Sequence, residues 1–163
     1  MALDRTDKVN YYLDIAETVA ERSTCMRRHY GAIIVRDDEI ISTGYNGAPR
    51  GRKNCADLGH CLRGELNIPS GQRYELCRAV HAEQNVIISA ARRDTMGGTL
   101  YLAGRDPRTK KILADTTPCS MCRRFIINAG IRRVVCRVAE DKYETIDVRD
   151  WIFNDDSVDM RPE

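Results

Sequence analysis

Apolar positions along residues 4–22 recur at helical spacing: Val9, Leu13, Ile15, Ala16, Val19 and Ala20, with polar residues between them. That spacing predicts an amphipathic helix. At residues 31–35 (GAIIV) the pattern changes to a short apolar run. Arg36, Asp37 and Asp38 interrupt it, and Glu39 to Gly44 follows, so a strand, a tight turn and a second strand are predicted as a β-hairpin. Residues 45–80 are rich in Gly, Pro, Asn and Arg and lack periodicity. A loop of that length inside a domain is uncommon and usually functional. A second helix is predicted over 81–93 (HAEQNVIISAARR), ended by Asp94 to Gly98, and then a strand over 99–103 (TLYLA). After a polar connection at 104–116, a third helix is predicted over 118–129, with Thr117 as N-cap, Pro118 at the first helical position and Gly130 as the stop. RVVCRV (133–138) reads as a strand. The polar tail 139–163 carries one apolar patch, Trp151, Ile152 and Phe153, and is expected to hold a short helix and a short strand of undefined place.

The order α, β, β, α, β, α, β favours a sheet with helices on both faces. No repeat, low-complexity tract or linker divides the 163 residues, so 1–163 is read as one domain. With 42% apolar and 31% charged residues, the chain is neither disordered nor collagen-like. No apolar run approaches the roughly 18 residues of a membrane span. The first 22 residues are charged throughout and lack an apolar h-region, so neither a secretory signal nor a transit peptide is expected, and a cytoplasmic setting is. Basic and acidic residues nearly balance, 26 against 24. A nucleic-acid partner is therefore not expected, and a small-molecule substrate is favoured.

Cysteine changes the picture. There are seven, at 25, 55, 61, 77, 119, 122 and 136. In a reducing compartment, clustered cysteine with nearby histidine points to metal more than to disulfides; the alternative is a set of inert thiols. Cys119-Ser120-Met121-Cys122 is a CxxC at a predicted helix start, where two thiolates share one face and the helix N-terminus favours their charge. His81 opens another predicted helix and supplies a third ligand. Three protein ligands leave the fourth tetrahedral position open, as in catalytic zinc sites. Glu83, two residues from His81, is placed to move a proton at that open position. HxE alone is a weak signal and CxxC a moderate one. Together, HAE followed by TPCSMC forms the HxE…PCxxC signature of zinc-dependent nucleobase deaminases. Cys136, inside an apolar strand, reads as a small core residue.

Five segments carry a wider likeness: CMRRHYGAIIV (25–35), TGYNGAPRG (43–51), ELCRAVHAEQNVI (75–87), TPCSMCRRFIINAGIRRVV (117–135) and DKY (141–143). With them the chain resembles the cytidine deaminase superfamily and, within it, the deoxycytidylate deaminase branch. The resemblance implies a three-layer α/β/α fold around a five-stranded mixed sheet. It implies a catalytic zinc on His81, Cys119 and Cys122, and Glu83 as the shuttle that takes a proton from water and delivers protons to N3 of cytosine and to the leaving amino group. The implied reaction converts dCMP to dUMP and ammonia, a supply for thymidylate synthesis. Asn46 matches a position that contacts the sugar, and Tyr143 a tyrosine near the nucleotide. Effector control by dCTP and dTTP through the loop Tyr45–Pro49, and assembly as a homo-oligomer, hexamer or smaller, are also implied. Other readings are a related deaminase acting on a nucleoside, free base, antibiotic base or tRNA, and a non-catalytic zinc module. Glu83 speaks against the module, because a purely structural site has no use for it.

Some members of the branch hold a second, structural zinc through residues equivalent to Cys25 and Cys55 and two histidines before HAE. This chain lacks those histidines. A closed site of Cys25, Cys55, Cys77 and either Cys61 or His60 is expected instead, pinning the long loop. A nucleotide phosphate needs a cationic or N–H donor, and Arg27, Arg28, Arg50 and Arg52 lie in segments expected to approach it; the sequence leaves the choice open.

Overall fold

The computed structural model describes residues 3–158, so the two ends of the expected domain 1–163 lie outside the described residues. Asp7 starts helix α1 (Lys8–Ala20) by accepting the Asn10 N–H on its carboxylate. The buried stripe of α1, Tyr12, Leu13, Ala16 and Ala20, follows the periodicity of its sequence. β1 (His29–Arg36) and β2 (Glu39–Tyr45) form the hairpin. Its turn is Asp37 and Asp38, at φ 52° and 61°, the left-handed pair that suits the twist of the flanking strands.

The stretch 45–80 is more ordered than its composition suggests. It holds two single-turn helices, α2 (Cys55–Leu58) and α3 (Leu62–Glu65), and a 3₁₀ turn at Tyr74–Leu76. A buried cation organises part of it. Arg63, 7% exposed, donates through Nη2 to the carbonyls of Pro69 (2.8 Å) and Gln72 (2.9 Å) and lies 4.4 Å over the Tyr74 ring. A bridge between Gly47 and Val80 closes the base of the loop.

The predicted helix 81–93 is broken in two, α4 (Ala82–Ile88) and α5 (Arg92–Thr95). β3 (Thr99–Arg105) and α6 (Ser120–Asn128) follow. The break has a cause at the end of α6, whose last carbonyls need donors. Arg92 Nε donates to Asn128 O at 2.7 Å, Thr95 Oγ1 to Ala129 O at 2.7 Å, and the Gly97 N–H to Gly130 O at 2.8 Å. The start of α6 also differs from expectation. Cys119, not Thr117, is the N-cap, because its sulfur accepts the Cys122 N–H at 3.5 Å; Pro118 lies before the helix. Gly130, at φ 72°, ends it as expected. The tail resolves into β4 (Arg133–Ala139), edge strand β5 (Lys142–Asp147) and α7 (Val148–Phe153).

The five strands order as β2-β1-β3-β4-β5, parallel between β3 and β4 and antiparallel elsewhere. Alternation along them divides the core. Ala32, Ile34, Leu100, Leu102 and Val134 pack with Ala82, Val86 and Ile126 of α4 and α6. Ile33, Val35, Tyr101 and Val135 pack with Tyr12 and Leu13 of α1. The result is the expected three-layer α/β/α arrangement around a mixed five-stranded sheet. Arg137 adds a polar tie between layers, pairing with Asp14 and Glu17 of α1 at 2.7 Å each. Among the described residues, no helix is long and apolar enough to cross a membrane.

Gly44 sets how closely α4 can lie on β2. A Cβ there would fall under 3.0 Å from backbone atoms of Ala82, Asn85 and Val86. Backbone cannot yield as a side-chain tip can, so Gly44→Ala is expected to destabilise the protein by about 2 kcal/mol or more, read by denaturant unfolding.

Candidate active site

Two helix starts meet at the site. His81 is the N-cap of α4, and its N–H donates to Gln84 Oε1 at 2.9 Å, which fixes the entry of the chain. Cys119 caps α6, and Cys122 lies in its first turn. α4 packs against α6, which brings these side chains together. His81 Nδ1 lies 3.6 Å from Cys119 Sγ and 3.4 Å from Cys122 Sγ, and all three atoms fall within 4.8 Å of one another. The Tyr74 ring meets the imidazole edge-on, with centroids 4.7 Å apart.

The donor set fits zinc. Bonds of about 2.0 Å to nitrogen and 2.3 Å to sulfur at a tetrahedral angle put N and S about 3.5 Å apart. The charges fit as well. The Cys122 thiol donates to Cys119, and with help from His81 this outweighs burial and holds Cys119 down at about 4. Cys122, keeping the proton, is pushed up. Burial would lower the His81 imidazole, but the Cys119 and Cys77 sulfurs prevail and raise it to about 10. The set therefore carries a thiolate, the form of cysteine that ligates metal.

Glu83, on the first turn of α4, is 6% exposed. Burial pushes its carboxyl up, with the His81 charge opposing. Behind it, Cys136 is a buried core residue, its thiol raised to about 12 by burial and then by Glu83. A cleft of about 380 Å³ opens above His81, Glu83 and Cys119. A wider hollow of about 560 Å³, between Ile87, Arg92 and Phe125, contains none of these residues.

Asn46 lines the cleft and is 6% exposed. Its Oδ1 accepts from Ser23 Oγ (2.6 Å) and the Tyr30 N–H (2.9 Å), and Nδ2 donates to Arg28 O (2.9 Å). One amide hydrogen is left for a ligand. Tyr143 does not join it: it stands half-exposed on edge strand β5, outside the cleft lining. Cys25, Cys61 and Cys77 line the cleft wall. Among the described residues, the expected second metal set does not close to within 4.8 Å. His60 Nδ1 instead lies 3.2 Å from Glu65. Of the candidate phosphate groups, Arg27 and Arg28 line the cleft and Arg50 and Arg52 do not. Sequence reasoning missed Arg63, Tyr74 and Asp115, which also line it. They lie in aperiodic segments, where no pattern assigns a face.

A mixed sheet whose covering helices begin with a His/Cys/Cys set beside a buried glutamate defines the class of zinc-dependent hydrolytic deaminases. The family model described as the cytidine and deoxycytidylate deaminase zinc-binding region matches residues 6–138, and the chain belongs to that family. The deoxycytidylate deaminase of Mycobacterium phage D29 is 36% identical over 137 residues, covering 82% of this chain and 96% of that one. The deoxycytidylate deaminase of Schizosaccharomyces pombe is 36% identical over 126 residues, 77% of this chain but only 35% of the yeast protein. Among solved structures, the dCMP deaminase of cyanophage S-TIM5 in apo form shares the fold, with TM-score 0.55 and 24% identity over 82% of this chain and 85% of that one.

Asn46→Ala would strip the partly buried Tyr30 N–H and Arg28 carbonyl of their side-chain partner, while the Ser23 hydroxyl keeps the backbone carbonyl of residue 46 at 2.9 Å. A loss of about 2–3 kcal/mol in denaturant unfolding is expected.

Proposed function

We propose that this chain hydrolyses dCMP to dUMP and ammonia, with a catalytic zinc held by His81, Cys119 and Cys122. The observation that carries the reading is a buried carboxylate, Glu83, beside a three-donor set at the floor of a cleft of nucleotide size. The dCMP substrate is supported by the names of the phage and yeast relatives. Zinc bound there supplies the Lewis acidity that makes water nucleophilic near neutral pH. Glu83 takes a proton from the attacking water and gives it to N3 of the cytosine as C4 becomes tetrahedral; it then takes the second proton, from the new C4 hydroxyl, and passes it to the amino group, so that the C4–N bond breaks, ammonia leaves and the carbonyl forms. Its raised proton affinity suits both giving and taking. The spare Asn46 amide hydrogen addresses the sugar.

The second, structural zinc belongs to the same proposal. Cys25, Cys61 and Cys77 line one wall of the cleft, and Cys55 opens α2, its thiol raised by burial and then by those three. Because His60 is turned to Glu65, Cys61 is the better fourth ligand. We further read 1–163 as one cytoplasmic domain that assembles as a homo-oligomer, hexamer or smaller, with dCTP and dTTP acting through Tyr45–Pro49. The exposed Ile88 and Phe125 suit such an assembly.

Ammonia release from dCMP, set against deoxycytidine, cytosine and adenosine-bearing tRNA, tests the reaction; turnover confined to another substrate would replace it. Glu83→Gln is expected to lose activity by about a thousandfold while retaining zinc. Elemental analysis is expected to find two zinc ions per chain, falling to one in Cys25→Ser, and a single zinc in the unaltered protein would end the second-site proposal.

A further inference from the structure

Ligation needs the His81 imidazole to hold Nδ1 toward Cys119 and Cys122, where it stands 3.6 and 3.4 Å from their sulfurs. Rotation of an imidazole about its Cβ–Cγ bond has only a broad intrinsic preference, so neighbours must set it. Half a turn would put a ring carbon where Nδ1 stands. The His81 N–H bond to Gln84 fixes the backbone at the start of α4 and leaves that rotation free. A ring contact supplies the restraint. Tyr74 meets the imidazole at 90° with centroids 4.7 Å apart, a close edge-to-face pair.

Tyr74 is itself held from several directions. Its hydroxyl accepts the Gly71 N–H at 3.0 Å, its carbonyl accepts the Cys77 N–H at 2.9 Å, and the Arg63 guanidinium lies 4.4 Å over its ring. Arg63 is held in turn by neutral groups. Nε donates to the Gln72 carbonyl at 3.2 Å, and Nη2 donates to the same carbonyl and to that of Pro69. Burying a cation is unfavourable unless such bonds are made, so its place against Tyr74 is a specific one. Arg63 stands on α3, and Tyr74 opens the 3₁₀ turn that follows. A chain of contacts therefore runs from the long loop to the cap of α4: guanidinium, phenol ring, imidazole.

We propose that Tyr74 is a positioning residue for His81: backed by Arg63, its ring holds the imidazole in the ligating orientation before a metal arrives, so that the order of the loop sets the metal affinity of the His/Cys/Cys set. Tyr74 acts through the imidazole. Its contribution is rotational freedom that His81 no longer has to lose on ligation. Removing a group that orients a metal-ligating histidine weakens metal binding roughly ten- to a hundredfold.

The inference rests on the deaminase reading, which places a metal at His81, and the experiment separates the two. Zinc and cobalt are titrated into the metal-free full chain, and the equivalent lost in Cys122→Ser is the one read. Absence of any such equivalent removes the metal reading and this inference with it. Where it binds, Tyr74→Leu is expected to weaken it about ten- to a hundredfold and to shift its cobalt ligand-field bands. Tyr74→Phe keeps the ring and is expected to stay within about twofold, with unshifted bands. Arg63→Lys keeps the charge and loses the fork. It is expected to weaken the same equivalent about three- to tenfold, and to add nothing in the Tyr74→Leu background, because it acts through Tyr74. Unchanged affinity in Tyr74→Leu, weakening without a band shift, or an equal loss in Tyr74→Phe would overturn the proposal. Should Tyr74→Leu fail to fold, Arg63→Lys decides alone, and unchanged zinc affinity in it overturns the proposal.

Discussion

The site depends on the close contact of α4 with β2. Gly44 offers no side chain, so the helix backbone rests almost directly on the strand. Two hydrogen bonds lock the register of that contact: Ser42 Oγ donates to Val86 O at 2.7 Å, and Asn85 Nδ2 donates to Tyr45 O at 2.8 Å. His81 and Glu83 sit on the cap and first turn of this helix, so β2 determines where the imidazole and the carboxylate stand. The two sulfurs are fixed from the other side. α6 packs against α4, and its C-terminal carbonyls are held by Arg92, Thr95 and Gly97. A donor set assembled this way is pre-organised by backbone contacts, which side-chain fluctuations disturb little.

Some of this was legible in the sequence for a clear physical reason. The hairpin, the strands at 99 and 133, and α1 are regular elements, and their periodicity reflects the face they bury. The zinc signature was legible because ligation demands particular residue types at helix starts. What failed was local. The break between α4 and α5 arises from the carbonyl ends of α6, over thirty residues away, as in the Thr95–Ala129 bond. The cap at Cys119 in place of Thr117 reflects a sulfur acting as acceptor, which ordinary capping preferences do not weigh. Tyr143 matched by resemblance, but its strand lies at the far edge of the sheet from the hairpin. Arg63 was unreadable, since an arginine in a polar loop looks solvated until the carbonyls that bury it are known.

The cleft grades from dry to wet. At its floor Glu83 is buried, its carboxyl raised by loss of water. Along the wall the Tyr30 phenol is pushed up by burial, while Arg28 draws it down. At the outer end Asp115 stands in solvent. Electrostatic interactions strengthen toward the floor, where proton transfer needs them, and weaken toward the exposed end, where ligands must exchange.

The loop wall organised by Arg63 has a thermal consequence. Apolar burial weakens as water cools, so the leucine- and isoleucine-rich layers about the sheet lose cohesion toward low temperature. The wall around Pro69, Gln72 and Tyr74 is held by polar and cation–π contacts that do not share that origin. Scaffold and cleft wall therefore respond to cold by different laws, and the wall is the part that keeps its grip.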